Sequence, residues 1–177
     1  MDVRQKLLQN WVIQTLSDMS LANPQGSLLT VSGDASFRRY FRQPVDQGSY
    51  IAVDAPPDKE NSTPFVNIAK EWFSQGVNVP QIIHADLENG FMLLSDMGDQ
   101  MLYPLLEAGQ ADTYYPKALS SLVEIQQTQY ELPLYDAELL DRETALFTDW
   151  YLAEHLNFPL SRNAKFMLEE TFELLRE

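Results

Sequence analysis

All seven glycines of this chain fall at or before Gly109, and every segment that reads as a β-strand falls with them. Antiparallel strands need tight turns, and tight turns need residues that accept positive φ, so the glycine-free remainder is read as helical. The uneven distribution predicts an antiparallel sheet with helices first, then helices alone: a two-lobed α+β arrangement.

Periodicity supplies the element order. Residues 2–19 carry Val3, Leu7, Leu8, Trp11 and Leu16 at helical spacing, behind an Asp2 suited to cap the helix. After the Asn23-Pro24-Gln25-Gly26 turn, strands are predicted over residues 28–32, 37–43 and 50–54, with a second hairpin turn at Asp46-Gln47-Gly48-Ser49. Pro56-Pro57 ends the third strand, and Pro64 opens a helix to about Gln75, with Phe65, Ile68, Ala69, Trp72 and Phe73 on one face and Gly76 at its end. Two more strands, 81–85 and 91–95, complete a five-stranded sheet. Further helices are expected over 101–107, 111–128, 136–155 and 161 to the end. In the third of these, Leu139, Leu140, Leu146, Phe147, Trp150 and Tyr151 form a stripe that reads as core.

With 45% hydrophobic residues, the chain can bury a real core. No apolar run approaches the roughly 20 residues that span a bilayer. With no signal-peptide pattern at the start, a cytoplasmic location and no membrane partner are expected. The absence of cysteine excludes disulfides and thiolate metal sites. Twelve basic against 26 acidic side chains leave a net charge of −14, which repels a polyanion over most of the surface and excludes nucleic acid as the expected partner. A single phosphorylated nucleotide is compatible, because one local site rich in cations or N–H groups can hold it. The stretch Gly33-Asp34-Ala35-Ser36-Phe37-Arg38 is the candidate for such a site. Its small residues let backbone N–H groups approach phosphate oxygens, and they serve equally as a plain hairpin turn.

Several stretches together carry a family resemblance: Gly33-Asp34-Ala35-Ser36-Phe37-Arg38-Arg39-Tyr40-Phe41-Arg42, Ala52-Val53-Asp54-Ala55-Pro56-Pro57-Asp58-Lys59-Glu60-Asn61, Gly76-Val77-Asn78-Val79-Pro80, Gly90-Phe91-Met92-Leu93-Leu94-Ser95-Asp96-Met97-Gly98 and Leu146-Phe147-Thr148-Asp149-Trp150-Tyr151. In this order they resemble the aminoglycoside phosphotransferase family, the small-molecule branch of the protein-kinase-like fold. Within it they are most similar to bacterial kinases of the anomeric hydroxyl of N-acetylmuramate and N-acetylglucosamine, which act in cell-wall recycling. The resemblance implies an ATP-binding small lobe over residues 1–96 and the first helices of a large lobe over 97–177. Ser32 to Arg38 would cover the ATP phosphates, Ala52 would lie against adenine, and Ser95, Asp96 and Met97 would form the hinge that meets the base. Leu93 and Leu94 would back the pocket. The implied partners are a nucleotide and a sugar, with Mg²⁺ as the metal.

Two departures from the family pattern are visible. The strand-three lysine that holds the α- and β-phosphates is replaced in the run Ile51-Ala52-Val53-Asp54, so Asp54 stands at the site without the expected charge. Lys59, Arg38 or Arg39 would supply the cation, and Arg38 and Arg39 point to opposite faces of their strand. The catalytic Asp, the Asn five residues beyond it and the metal-binding Asp are not found. His84-Ala85-Asp86 and Asp96-Met97-Gly98 look like them but fit a turn and the hinge. No catalytic residue or metal ligand is therefore assigned. The chain is expected to be the N-terminal portion of a longer enzyme, inactive alone and prone to self-association through exposed helical faces. An aminoglycoside or choline-like acceptor, or a non-catalytic binding module, are the alternative readings.

Overall fold

Asp2 caps the first helix, its carboxylate accepting the Gln5 N–H, and α1 runs over Val3–Asp18. The computed structural model describes residues 2–31 and 36–176. Strands β1 (Leu29–Thr30), β2 (Arg39–Val45), β3 (Gly48–Asp54), β4 (Ile82–Asp86) and β5 (Phe91–Ser95) form one antiparallel sheet in the order β1-β2-β3-β5-β4. Helix α2 (Thr63–Ser74) lies between β3 and β4, with Pro64 in its first turn. The expected element order holds. The first strand is shorter than expected, although the Val31 N–H still donates to the Tyr40 carbonyl beyond its end.

Alternation along the strands sorts side chains onto two faces. On one, Leu8, Val12 and Leu16 of α1 pack against Leu28, Phe41, Val45, Ala52, Phe91 and Leu93. On the other, Val66 of α2 packs with Val53, Ala55, Met92 and Leu94. The buried face of α1 differs from the one its hydrophobic spacing suggests. Val3 and Leu7 are exposed, and the helix instead buries Gln9 and Thr15 beside its leucines. Gln9 is accommodated because its amide donates to the buried Gln43 at 2.8 Å while its oxygen accepts the Leu28 N–H at 2.7 Å, so no polar atom of the pair is stranded.

The turn between β4 and β5 depends on glycine. Gly90 has φ +74°, and a Cβ there would stand 2.0 Å from the Ala55 carbonyl oxygen. Its own carbonyl accepts the Ala55 N–H, which fastens the end of β3 to this turn.

The chain divides into two compact units, Met1–Tyr130 and Glu131–Glu177. This partition by packing differs from the 1–96 and 97–177 lobes that the resemblance implies. The first unit also contains α3 (Leu102–Glu107) and α4 (Ala111–Gln126). In the second unit, α5 (Ala137–Leu146), capped by Asp136, passes directly into a π-helix over Phe147–His155, where one uniform helix was expected. Helix α6 (Arg162–Arg176) follows, and Arg176 meets Asp141 of α5 at 2.6 Å. None of the described residues of α5, the π-helix or α6 is buried, and Trp150 is 66% exposed. The apolar stripe expected to be core is therefore largely on the surface of this unit. No described helix is long and apolar enough to cross a membrane.

Candidate functional site

Helix α2 covers only part of its face of the sheet. Beside it lies a cavity of about 400 Å³ bordered by Val31, Tyr40, Arg42, Ile51, Pro80, Leu94 and the segment Ser95, Asp96, Met97 and Gly98. Its walls follow from strand alternation: Tyr40 and Arg42 share one face of β2, and Ile51 and Leu94 are direct partners across β3 and β5. Apolar walls beside a stretch of backbone suit a flat, mostly apolar ring with polar edges.

The segment after β5 is held by its own side chains. Asp96 accepts from Arg42 Nε at 2.5 Å, from Ser49 Oγ at 2.6 Å and from the Gly98 N–H at 2.8 Å. Arg42 also reaches Asp99 at 2.8 Å. The guanidinium, helped by Ser49 and the Gly98 N–H, holds the Asp96 carboxyl down to about 2 against the pull of burial, and the same bonds hold Arg42 protonated far above neutrality. Ser95 is fixed from the other side, accepting the Gln81 N–H on its hydroxyl and donating its own N–H to the Gln81 carbonyl. Ser95, Asp96 and Met97 thus stand together at the cavity, with the Asp96 side chain committed to Arg42.

Other expected site residues lie elsewhere. Ala52 has no exposed surface and faces α1, so Ile51 takes its place at the cavity. The same alternation puts Leu93 in the α1 core and Leu94 at the cavity. Asp54, also without exposed surface, points to the α1 side and is clasped by Arg4 Nε at 2.8 Å and Arg39 Nε at 3.0 Å. Arg39 also binds the capping Asp2, whose carboxyl its guanidinium helps to hold down to about 2. Asp54 is therefore the buried centre of an ion cluster that ties α1 to β2 and β3, with Arg4 and Arg39 themselves reaching solvent.

A second cavity, of about 330 Å³, shares Val31 and Tyr40 with the first and is also bordered by Ser36 and Arg38. Ser36 Oγ accepts the Arg38 N–H, and Glu60 accepts the Phe37 N–H. Ser36, Phe37 and Arg38 are thus adjacent near this end, while Ser32, Gly33, Asp34 and Ala35 lie outside the described residues. Arg42, Tyr40 and Ile51 were absent from the sequence-derived candidates. The Arg38, Tyr40, Arg42 alternation marks them once the facing of β2 is known. Among the described residues no three His, Asp or Glu side chains gather as a metal site.

The second unit has its own cavity of about 510 Å³ between the π-helix and α6. Asp149 borders it, whereas Trp150 and Tyr151 do not. Phe147 and Tyr151 stack on each other instead, at 5.5 Å between ring centres.

The sequence pattern of the phosphotransferase enzyme family matches residues 27–176. The chain is 42% identical to an N-acetylmuramate/N-acetylglucosamine kinase of Pseudomonas aeruginosa, over 90% of this chain and 49% of that protein. It is 39% identical to a protein of the same name from Pseudomonas putida, over 98% of this chain and 53% of that one. A third, from Neisseria meningitidis, is 34% identical over 97% and 52%. The chain spans about half the length of these curated relatives.

Proposed function

The chain belongs to the phosphotransferase enzyme family, and from that premise we propose that the cavity beside α2 receives the adenine of ATP in an enzyme that phosphorylates a sugar hydroxyl. The observation that carries this reading is the pairing of apolar walls from Tyr40, Ile51 and Leu94 with the Ser95 to Gly98 backbone, itself held by the Arg42–Asp96 bond. In this reading Ser95, Asp96 and Met97 present backbone groups to the base, with Ile51 rather than Ala52 beneath it. Of the residues expected along the phosphates, Ser36, Phe37 and Arg38 keep that role in this reading, while Gly33, Asp34 and Ala35 lie outside the described residues. Asp54 has a structural role, holding Arg4 and Arg39.

The proposed acceptor is N-acetylmuramate or N-acetylglucosamine, on the strength of the names of three relatives at 34 to 42% identity, and the anomeric hydroxyl is taken from the family resemblance of the sequence. A Mg²⁺ ion accompanying the triphosphate belongs to the same proposal. The described residues offer no acidic cluster for it, so no step is assigned to it. Bound ATP implies a cytoplasmic setting. Self-association is also proposed, because α6 leaves Phe166, Met167, Leu174 and Leu175 exposed.

The test is phosphate transfer by the full-length protein with ATP and Mg²⁺. Transfer to N-acetylglucosamine or N-acetylmuramate, with none to choline or kanamycin, is the expected result. Transfer to kanamycin or choline instead would move the acceptor to another class. Absence of ATP binding would overturn the nucleotide reading itself.

A further inference from the structure

Four arginines surround β2, and three are fully engaged. Arg4 and Arg39 share Asp54, and Arg42 is held by Asp96 and Asp99. Arg38 differs. Among the described residues its one carboxylate neighbour is Glu60, 3.5 Å from Nε. Among those residues the buried Nε has no hydrogen-bond partner, and the rest of the guanidinium makes no hydrogen bond either. The group rests on the Phe65 ring of α2, 5.3 Å from its centre, which places it on the α2 face with Tyr40 and Arg42. A buried guanidinium nitrogen without a partner costs free energy unless something else uses the charge.

Its position supplies the use. The two cavities meet at Val31 and Tyr40: one ends at the Ser95 to Gly98 segment, and the other, which also reaches Gln5 of α1, Arg39 and Phe41, is bordered by Ser36 and Arg38. A ligand with its ring against Ile51 and Leu94 would extend its other end along β2 toward Arg38. In a chain of net charge −14, an anionic tail needs a local cation. Lys59, the alternative cation, is exposed, and among the described residues its carboxylate neighbour is Asp58, at 3.7 Å.

We propose that Arg38 is the phosphate-binding cation of this site, held in place by Glu60 and the Phe65 ring, and that it stands in for the cation missing from strand β3. This rests on the nucleotide reading of the cavity. Stacking on Phe65 keeps the guanidinium plane fixed while its edge remains available for bidentate contact with phosphate oxygens. Glu60 sets the direction of the side chain and also accepts the Phe37 N–H, so the same carboxylate fixes the backbone just before Arg38.

The experiment is calorimetric titration of the full-length protein, and of its Arg38→Gln and Arg38→Lys variants, with adenosine, ADP and ATP in the presence of Mg²⁺. Arg38→Gln is expected to weaken ADP and ATP by about tenfold to a hundredfold, the worth of a charged hydrogen bond. Adenosine affinity stays within about twofold, as it must if the loss is confined to the phosphates. Arg38→Lys falls between, because it keeps the charge and loses the fork and the stacking. Wild-type ATP affinity in Arg38→Gln would overturn the assignment and leave the nucleotide reading standing. Equal losses for adenosine and ATP would also overturn it, by showing a general collapse of the site. If the wild-type protein binds none of the three, both readings fall together.

Discussion

On the α1 side of the sheet, Leu8, Val12 and Leu16 meet Ala52 and Leu93 with no exposed surface, whereas across the same strands Ile51 and Leu94 border a cavity. One residue along β3 or β5 separates a position that holds the fold from one that lines the site. Polar groups differ in the same way. On the α1 side Gln9, Gln43 and Asp54 all find partners. On the α2 side the Arg38 Nε has no hydrogen-bond partner among the described residues. A fully satisfied face maximises stability, and a face with unspent hydrogen-bonding capacity is where a ligand can bind.

The comparison breaks most readily on the closed side. Leu8→Ala should lower stability by about 2–5 kcal/mol, because a side chain with no exposed surface leaves a cavity between α1 and the sheet. Urea denaturation reads this, and a loss below about 1 kcal/mol would mean that α1 is not a tight lid. Next comes the Arg42–Asp96 bond. Asp96 is held down to about 2 from 3.8, so its ionised form favours the folded state above about pH 4, and that contribution is lost as pH falls toward 2. Asp96→Asn should cost about 1–2 kcal/mol at neutral pH and flatten this acid limb of the stability curve. An unchanged limb would place the acid sensitivity elsewhere. The smallest stability effect belongs to the open side. Ile51→Trp should change stability by within about 1 kcal/mol, since the ring can occupy existing space. It should nonetheless abolish adenosine binding by the full-length protein, and undiminished binding would remove the cavity from the site.

The order of helices and strands was legible because Asp2, Pro64 and the glycine turns mark boundaries in the sequence itself. The facing of the strands was harder to read. Ile51, Ala52, Val53 and Asp54 contain three apolar residues in a row, and a strand buried on both sides gives no alternation to say which way Ala52 turns. Helix α1 misled for a related reason. Val3 and Leu7 fit the apolar period, but the buried face includes Gln9, whose acceptability depends on Gln43, a residue distant in sequence. Ser95, Asp96 and Met97 were legible as a segment following β5, while the arginine that holds Asp96 was missed because Arg42 lies more than fifty residues away. The π-helix left no mark either: Phe147, Trp150 and Tyr151 fit an α-helical stripe, and the wider winding arises from backbone pairing. The expected phosphate-facing residues Gly33, Asp34 and Ala35 fall outside what the structure describes.

The hydrogen-bonded pair of Gln9 and Gln43 has a consequence for folding fidelity. Were β2 to pair with β3 one residue out of step, Gln43 would move to the α2 face and Arg42 would enter the apolar layer facing α1. The Gln9 side-chain N–H would then be buried without its acceptor, at a cost of about 1–3 kcal/mol in addition to the misplaced charge. The two amides thus act as a proofreading contact: an off-register β2 is penalised before any ligand arrives, and only the correct alignment turns Arg38, Tyr40 and Arg42 to the α2 side.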